Sequence, residues 1–574
     1  MVLCLVIRNF ATRNKKRRRF IVYLFIRKEM SKKTVLFFCG LLSLLNIYGQ
    51  GYMTDAASST DPWTTTSMYP KHEIRAVWLT TIMSLDWPRT KAKDEKSMEE
   101  QKQELRMILN QLQAANINTV ILQTRIRGSV IYPSTIEPWD ECLTGVPGKD
   151  PGYDPLRFAI SECHRRGMEL HCWLVTIPLG DKKKQNGFGN FSIVKQCPGL
   201  VRAAGDNWFM RPDNPATGDY MASLCRELCE HYDIDGISLD YIRYPEKSYN
   251  YKDDCSASQR RENITSIVRK IHNAVKPIKP WVKLSSSPIG KFRDLSRYSS
   301  KGWNSYDAVY QDAQGWLRDN LQDVLFPMMY FRGESFFPFL YDWREHQYGH
   351  PIAPGLGIYF LDPSEGNWVL DDVRPEIHAS RNSGLGGVAF YRSDFLTRNC
   401  KGIYTQVQTE FFPHISLPPR MTWSIDSISP TRPNDLYHDV EGKCLYWIGS
   451  DEQGDRKLKL NDDDYVYYNI YGSNIYPVDV SSGRNLLKTR VTGSYLNITP
   501  DIGGFQYYAI SACDRFGNES PATQEYLMEM KRSLKQVWNP RSRITAEGVR
   551  VDDRRLSPTT LPPPPSSLKK KGRK

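Results

Sequence analysis

Between Glu73 and Tyr391, short apolar, β-rich runs alternate with longer amphipathic stretches, and this rhythm leaves few folds open to the chain. The runs are Ile74–Thr80, Thr119–Gln123, Glu169–Val175, Ile234–Asp240, Trp281–Ser286, Val324–Tyr330, Ile352–Tyr359 and Gly387–Tyr391. Helix-like stretches such as Ser97–Ala115, Pro155–Arg166, Tyr220–His231 and Gln259–Val275 separate them. Eight strands alternating with helices predict an α/β fold, a (β/α)8 TIM barrel over residues 71–413. The runs are continuously apolar, as parallel strands covered on both faces should be. An open doubly wound sheet is the competing fold, but no Gly-x-Gly-x-x-Gly turn follows the first run.

A Pro-rich boundary at residues 414–434 ends this pattern. Leu445–Trp447, Tyr465–Tyr471 and Tyr507–Ala512 then read as short alternating strands, so an all-β domain is expected over 435–530. The stretch from Tyr508 to Ser520 resembles the end of a fibronectin type III domain, as does the Leu445-x-Trp447 pair. That resemblance implies a sandwich acting as a spacer or binding module. Residues 531–574 turn basic and Pro-rich and read as disordered.

The 574 residues carry a net charge of +13, which at first suggests a nucleic-acid partner. The excess is terminal. Residues 1–33 hold +10 and residues 551–574 hold +5, which leaves −2 on residues 34–550. A nucleic-acid-binding body would keep a basic face of its own, so no such partner is expected. Met30-Ser31-Lys32-Lys33, the apolar run Thr34–Leu45 and the small Gly49 together make residues 30–49 a secretory signal peptide. Residues 1–29, with the basic run Arg13 to Arg19, then read as a mis-assigned start or basic extension, and residues 50–70 as a linker. The mature protein is expected in the periplasm, at the cell surface or outside the cell. Phe37-Phe38 ahead of Cys39 argues against a lipid anchor, and no later apolar run is long enough to cross a bilayer. Cys225 and Cys229 lie one helical turn apart with no matching His/Cys pair nearby, which suits buried thiols better than a metal site. Neither metal nor cofactor is expected.

A barrel of this type builds its active site at the C-terminal ends of its strands. The fourth run, Asp235-Gly236-Ile237-Ser238-Leu239-Asp240, is the most informative. Alternation puts Ser238 and Asp240 on one face. An acid at the mouth of an apolar strand is costly to desolvate and is kept for a salt bridge, a cap or catalysis. Arg243, three residues on, would be its partner if the role is structural. Asp235, near the buried start of the strand, reads as structural. Aromatic rings stack on sugar faces and charged groups bind hydroxyls, so Gln123, Arg125, Trp173, Arg243, Tyr330 and Tyr391 are candidate sugar-binding residues. Glycoside hydrolysis normally uses two carboxyls. Asp240 is the first candidate; Asp312 and Glu137 lead for the second, with Glu334 behind.

Further motifs fall in a consistent order along the chain. They are Glu73-Ile-Arg75-Ala-Val-Trp78, Leu85-Asp86-Trp87-Pro88, Gln123-x-Arg125, Glu137-Pro138-Trp139, Leu143-Thr-Gly145, Asp154-Pro155-Leu156, His164-Arg165-Arg166-Gly167, the fourth-run motif and Gly355-Leu356-Gly357-Ile-Tyr359. Together they resemble the glycosyl hydrolase-like 10 family of exported bacterial proteins. The resemblance implies a barrel that hydrolyses a glycan, with peptide-free peptidoglycan strands as the substrate of one branch. The acid of family 18 chitinases is missing, because Ile242 stands two residues beyond Asp240. The amylase-type Asp-Gly-x-x-x-Asp pattern matches Asp235 to Asp240, yet Leu284-Ser285-Ser286-Ser287 offers no carboxyl on the fifth strand. The partner of Asp240 is therefore expected from a loop. The rival expectation is a non-catalytic glycan-binding or scaffolding protein, which would keep rings and arginines without an acid pair.

Overall fold

The computed structural model describes residues 69–449 and 466–524, with the backbone of 542–544 and 550–552. The expected leader, most of the linker after it and most of the tail lie outside the described residues.

Strands β1 (Ile74–Leu79), β2 (Thr119–Arg125) and β3 (Glu169–Val175) open the fold. An antiparallel insert follows, made of β4 (Pro178–Asp181), β5 (Val201–Ala204) and β6 (Asn207–Met210). Then come β7 (Gly236–Asp240), β8 (Lys283–Ser286), β9 (Val324–Leu325), β10 (Gly355–Leu356) and β11 (Gly387–Phe390). The parallel sheet runs β10-β11-β1-β2-β3-β7-β8-β9. Parallel bridges from Leu325 to Ile352 and from Met328 to Gly355 join its two ends into a ring. The expected (β/α)8 barrel is thus present. Strands β9 and β10 are shorter than their apolar runs, because Pro327 and Pro354 have no N–H to extend a ladder.

Helices α1 (Glu95–Ala114), α2 (Pro155–His164), α3 (Pro215–His231) and α4 (Ala257–Val275) return the chain from strand to strand. Farther on, α5 (Ala313–Arg318), α6 (Phe337–Glu345) and α7 (Leu370–Asn382) do the same. Asp94, Asp154, Asn214 and Ser256 cap the first four by accepting hydrogen bonds from backbone N–H groups that the helix leaves unpaired. Cys225 and Cys229 lie on the buried face of α3.

Alternation along each strand sorts side chains between two cores. Val77, Val120, Leu170 and Ile237 face the helices. Ile74, Ala76, Trp78, Ile121, Trp173, Val175 and Phe326 fill the ring. Polar residues fill it lower down: Lys283 Nζ lies 2.5 Å from Glu169 Oε1, and His171 Nε2 lies 3.1 Å from Glu169 Oε2. Gly236 is required there, since a Cβ would fall 2.6 Å from His171 Nδ1.

The expected all-β region is present as two antiparallel sheets. Its strands are β12 (Asn434–Asp439), β13 (Cys444–Ile448), β14 (Tyr467–Ser473), β15 (Leu486–Val491), β16 (Tyr495–Asn497), β17 (Tyr507–Cys513) and β18 (Thr523–Gln524). They order as β12-β13-β16 and β15-β14-β17-β18. Leu445 and Trp447 from one sheet share a core with Tyr468, Ile470, Tyr508 and Ile510 from the other. These sheets rest on the N-terminal side of the barrel, where Gly167 leaves room for Thr489 and Arg515 pairs with Asp233. Within the tail expected to be disordered, β19 (Ser542–Ile544) pairs with β20 (Arg550–Asp552). Among the described residues no helix is long and apolar enough to cross a membrane.

Candidate functional site

Asp240 is the last residue of β7, and its side chain is buried at the C-terminal mouth of the ring. Its Oδ2 accepts a hydrogen bond from Trp173 Nε1 at 3.0 Å, and its Oδ1 accepts one from the Tyr241 N–H at 2.8 Å. The backbone is fixed too, because Thr176 donates both its N–H and its hydroxyl to the Asp240 carbonyl. Burial pushes the carboxyl pKa above its ordinary value; Arg243 pulls the other way without cancelling the effect. Such a carboxyl holds its proton to higher pH than a solvated aspartate.

Aromatic rings cover this mouth. Tyr391, just past β11, sits at the centre: its ring centroid is 5.4 Å from Tyr330, 5.8 Å from Tyr359, 5.9 Å from Trp78 and 6.5 Å from Trp173. Four of these rings project from the ends of β1, β3, β10 and β11, and Tyr330 follows β9. Tyr241 adds its ring to the inner cluster. It does so from a left-handed backbone, φ +51°, which is strained for a bulky residue and recurs where a chain is held for function.

Arg243 does not pair with Asp240. Its Nη2 donates to Glu246 Oε1 at 2.7 Å, while its guanidinium lies 4.3 Å from the centre of the Tyr241 ring and 6.0 Å from that of Trp303. Between the β2 loop, the insert and the β7 loop lies a hollow of about 50 Å³, lined by Arg127, Trp208, Tyr241, Arg243 and Glu246 among others. The structure therefore gathers Asp240, Trp173, Arg243, Tyr330 and Tyr391 at one mouth.

Gln123, Arg125 and Glu137 require correction. The Gln123 side-chain oxygen accepts from the N–H groups of Thr81 and Ile82, at 3.0 and 2.8 Å, and is buried doing so. Arg125 and Glu137 form a fully buried ion pair, with Nη2–Oε1 2.6 Å and Nε–Oε2 2.9 Å. Tyr220 donates its hydroxyl to Glu137, and Arg125 donates to the Val175 and Thr176 carbonyls. These groups brace the loop after β2 against β3 and present nothing to a solute. For Arg125 the cause is a register slip in β2 between Gln123 and Arg125, which breaks the alternation of the strand at its end. Asp312 is also placed elsewhere: it is the N-cap of α5 and accepts from the Gly315 N–H at 3.2 Å. Glu334 lies exposed and accepts from Ser299.

Three residues at the mouth escaped the sequence reading, Tyr241, Glu246 and Trp303, whereas Arg127 stands among the polar residues that end the second run. The loops after β7 and β8 deliver these three, and no strand periodicity marks those loops. Asp86, after β1, is a further buried carboxyl. Burial raises its pKa against the pull of Arg392, and it accepts from the Thr80 N–H at 2.8 Å. Among the described residues no group of three or more His, Cys, Asp or Glu is arranged to hold a metal.

The chain is similar to known proteins. The family model described as glycosyl hydrolase-like 10 matches residues 73–356. Glycosyl hydrolase YngK of Bacillus subtilis (strain 168) is 29% identical over 491 residues, covering 79% of this chain and 92% of that protein. Glycosyl hydrolase DigH of Escherichia coli (strain K12) is 28% identical over 396 residues, covering 61% of this chain and 89% of its own. Among solved structures, the PgaB (BpsB) glycoside hydrolase domain from Bordetella bronchiseptica aligns with a TM-score of 0.42 at 11% identity, over 59% of this chain and 99% of that one.

Proposed function

We propose that this chain, whose residues 73–356 match the glycosyl hydrolase-like 10 family model, is an exported hydrolase of a cell-wall glycan with Asp240 as its proton donor. One observation carries the reading: a buried carboxyl with a raised pKa stands at the mouth of the fourth barrel strand, under a roof of aromatic rings. A carboxyl that keeps its proton to higher pH than usual is suited to pass it to the leaving glycosidic oxygen. Tyr330 and Tyr391 supply flat faces for the sugar rings on either side of the scissile bond. The reaction also needs an ionised carboxylate. Glu246 fits that place better than Glu137 or Asp312, because it is half-buried on the loop that follows Asp240 and lines one hollow with Tyr241. Peptide-free peptidoglycan strands are the first substrate to try.

The test is a digest. Wild type, Asp240→Asn and Glu246→Gln are incubated with peptide-free peptidoglycan strands and a panel of other glycans, and products are read by mass spectrometry. Wild type is expected to release shortened strands, and Asp240→Asn to do so at least about a hundredfold more slowly. Binding by all three proteins without products from any would favour the scaffolding role instead. N-terminal sequencing of the protein recovered from its host tests export, with Gln50 as the expected first residue.

A further inference from the structure

We propose that the hollow between Arg127 and Arg243 is a subsite for a carboxylate carried by the sugar itself, an inference that rests on the glycan reading above. Arg243 is only 5% exposed. One of its terminal nitrogens is taken by Glu246, but Nε and Nη1 are buried with no hydrogen-bond partner. A guanidinium is always charged and has five N–H donors, and proteins seldom bury such donors unmet unless something arrives to meet them. Arg127 lines the same hollow. Its side chain makes no hydrogen bond or ion pair among the described residues, and it is held there by a backbone at φ +137°, outside the comfortable range of any residue but glycine.

Charge gives the direction. The hollow contains two guanidinium groups and one carboxylate, Glu246, which is already paired. One positive charge and several donors are left over, close enough to Asp240 for both arginines to act on it. Neutral sugar hydroxyls would use the donors and waste the charge. A carboxylate uses both, in the planar two-pronged geometry that a guanidinium favours. Trp208 and Tyr241 offer the sugar ring its apolar walls. Two kinds of sugar carry this group: a uronic acid, on the ring, and a muramic acid without its peptide, on the lactyl ether.

The experiment measures binding apart from turnover. Asp240→Asn protein is titrated by calorimetry with peptide-free peptidoglycan oligomers, with the same oligomers after carboxyl reduction to the alcohol, and with oligogalacturonate and its reduced form. At least one carboxylated glycan is expected to bind tenfold or more tightly than its reduced partner, and the pair that shows the difference identifies the source. Adding Arg127→Gln is expected to erase that difference. Arg127 has no internal bond to lose, so its variant should fold, and an unchanged unfolding curve verifies this. Equal affinity for both members of each pair, or no binding of any carboxylated glycan, overturns the inference. Equal affinities together with cleavage by wild type would leave the hydrolase reading standing. A carboxylate preference without cleavage of any glycan would do the reverse.

Discussion

Arg490 Nη2 of β15 lies 2.7 Å from Asp235 Oδ1, so a residue of the appended sheets closes an ion pair at the foot of a barrel strand. His164 Nε2 from the end of α2 reaches the other oxygen at 2.8 Å, and the Leu170 N–H donates to it as well. Burial alone would raise the Asp235 pKa. Arg490, His164 and Leu170 together outweigh burial and hold it well below the usual carboxylate range. Removing Arg490 would strand a buried charge, so Arg490→Met should cost about 3–5 kcal/mol in urea unfolding at neutral pH. Combining it with Asp235→Asn should recover part of that loss.

The same pair fixes an acid limit. A carboxyl whose folded pKa is depressed contributes its stability above the unfolded pKa, near 3.9, and loses it as pH falls through the folded value. Unfolding midpoints of the wild type should drop steeply below about pH 4. Those of Asp235→Asn should drop less.

Glu376 of α7 shows the opposite case. It is buried with neither oxygen bonded, and burial, aided by Asp372 and opposed by Arg332, raises its pKa to about 9. Between the unfolded value of 4.5 and about 9 the native protein keeps a proton that the unfolded chain releases, so stability falls with rising pH. The slope from this group is roughly 1 kcal/mol per pH unit. Glu376→Gln should remove it and be the more stable protein at pH 8, measured by urea unfolding across that range.

Glu137 and Arg125 are expected to behave as a structural pair. Glu137→Gln leaves a buried guanidinium with its main partner gone and should cost about 3–5 kcal/mol. The double change Arg125→Met, Glu137→Leu should cost less than the sum of the single changes. Strong additivity in this cycle would contradict a coupled pair.

Trp173 lowers the Asp240 pKa through one hydrogen bond, against the larger effect of burial. Trp173→Phe removes a donor to the ionised form, which raises the Asp240 pKa. If Asp240 acts as the proton donor, the alkaline limb of the pH–rate profile should move to higher pH. A profile that does not move would separate Asp240 from that limb.

The sequence revealed the barrel because its strands are buried on both faces and therefore run apolar without interruption. It revealed Asp240 because a carboxyl ending such a strand conflicts with its surroundings. It failed where local geometry overrides period. The slip in β2 sent Arg125 into a brace with Glu137, and no residue pattern announces a slip. Arg243 stood three residues from Asp240, yet the left-handed turn at Tyr241 carried it to Glu246. The insert β4 to β6 is built of four-residue strands, too short to show alternation, so its Trp208 wall went unseen. Asp312 shows the reverse error, since a carboxylate near a strand end was satisfied by the simple task of capping a helix.

Strand β7 begins just after Asp235 and ends on Asp240, with five residues spanning roughly 17 Å. One end is a mounting and the other is the working edge. The attached sheets therefore bear on how long the barrel survives, through Arg490 at the mounting, and they do so a full strand's length away from the acid.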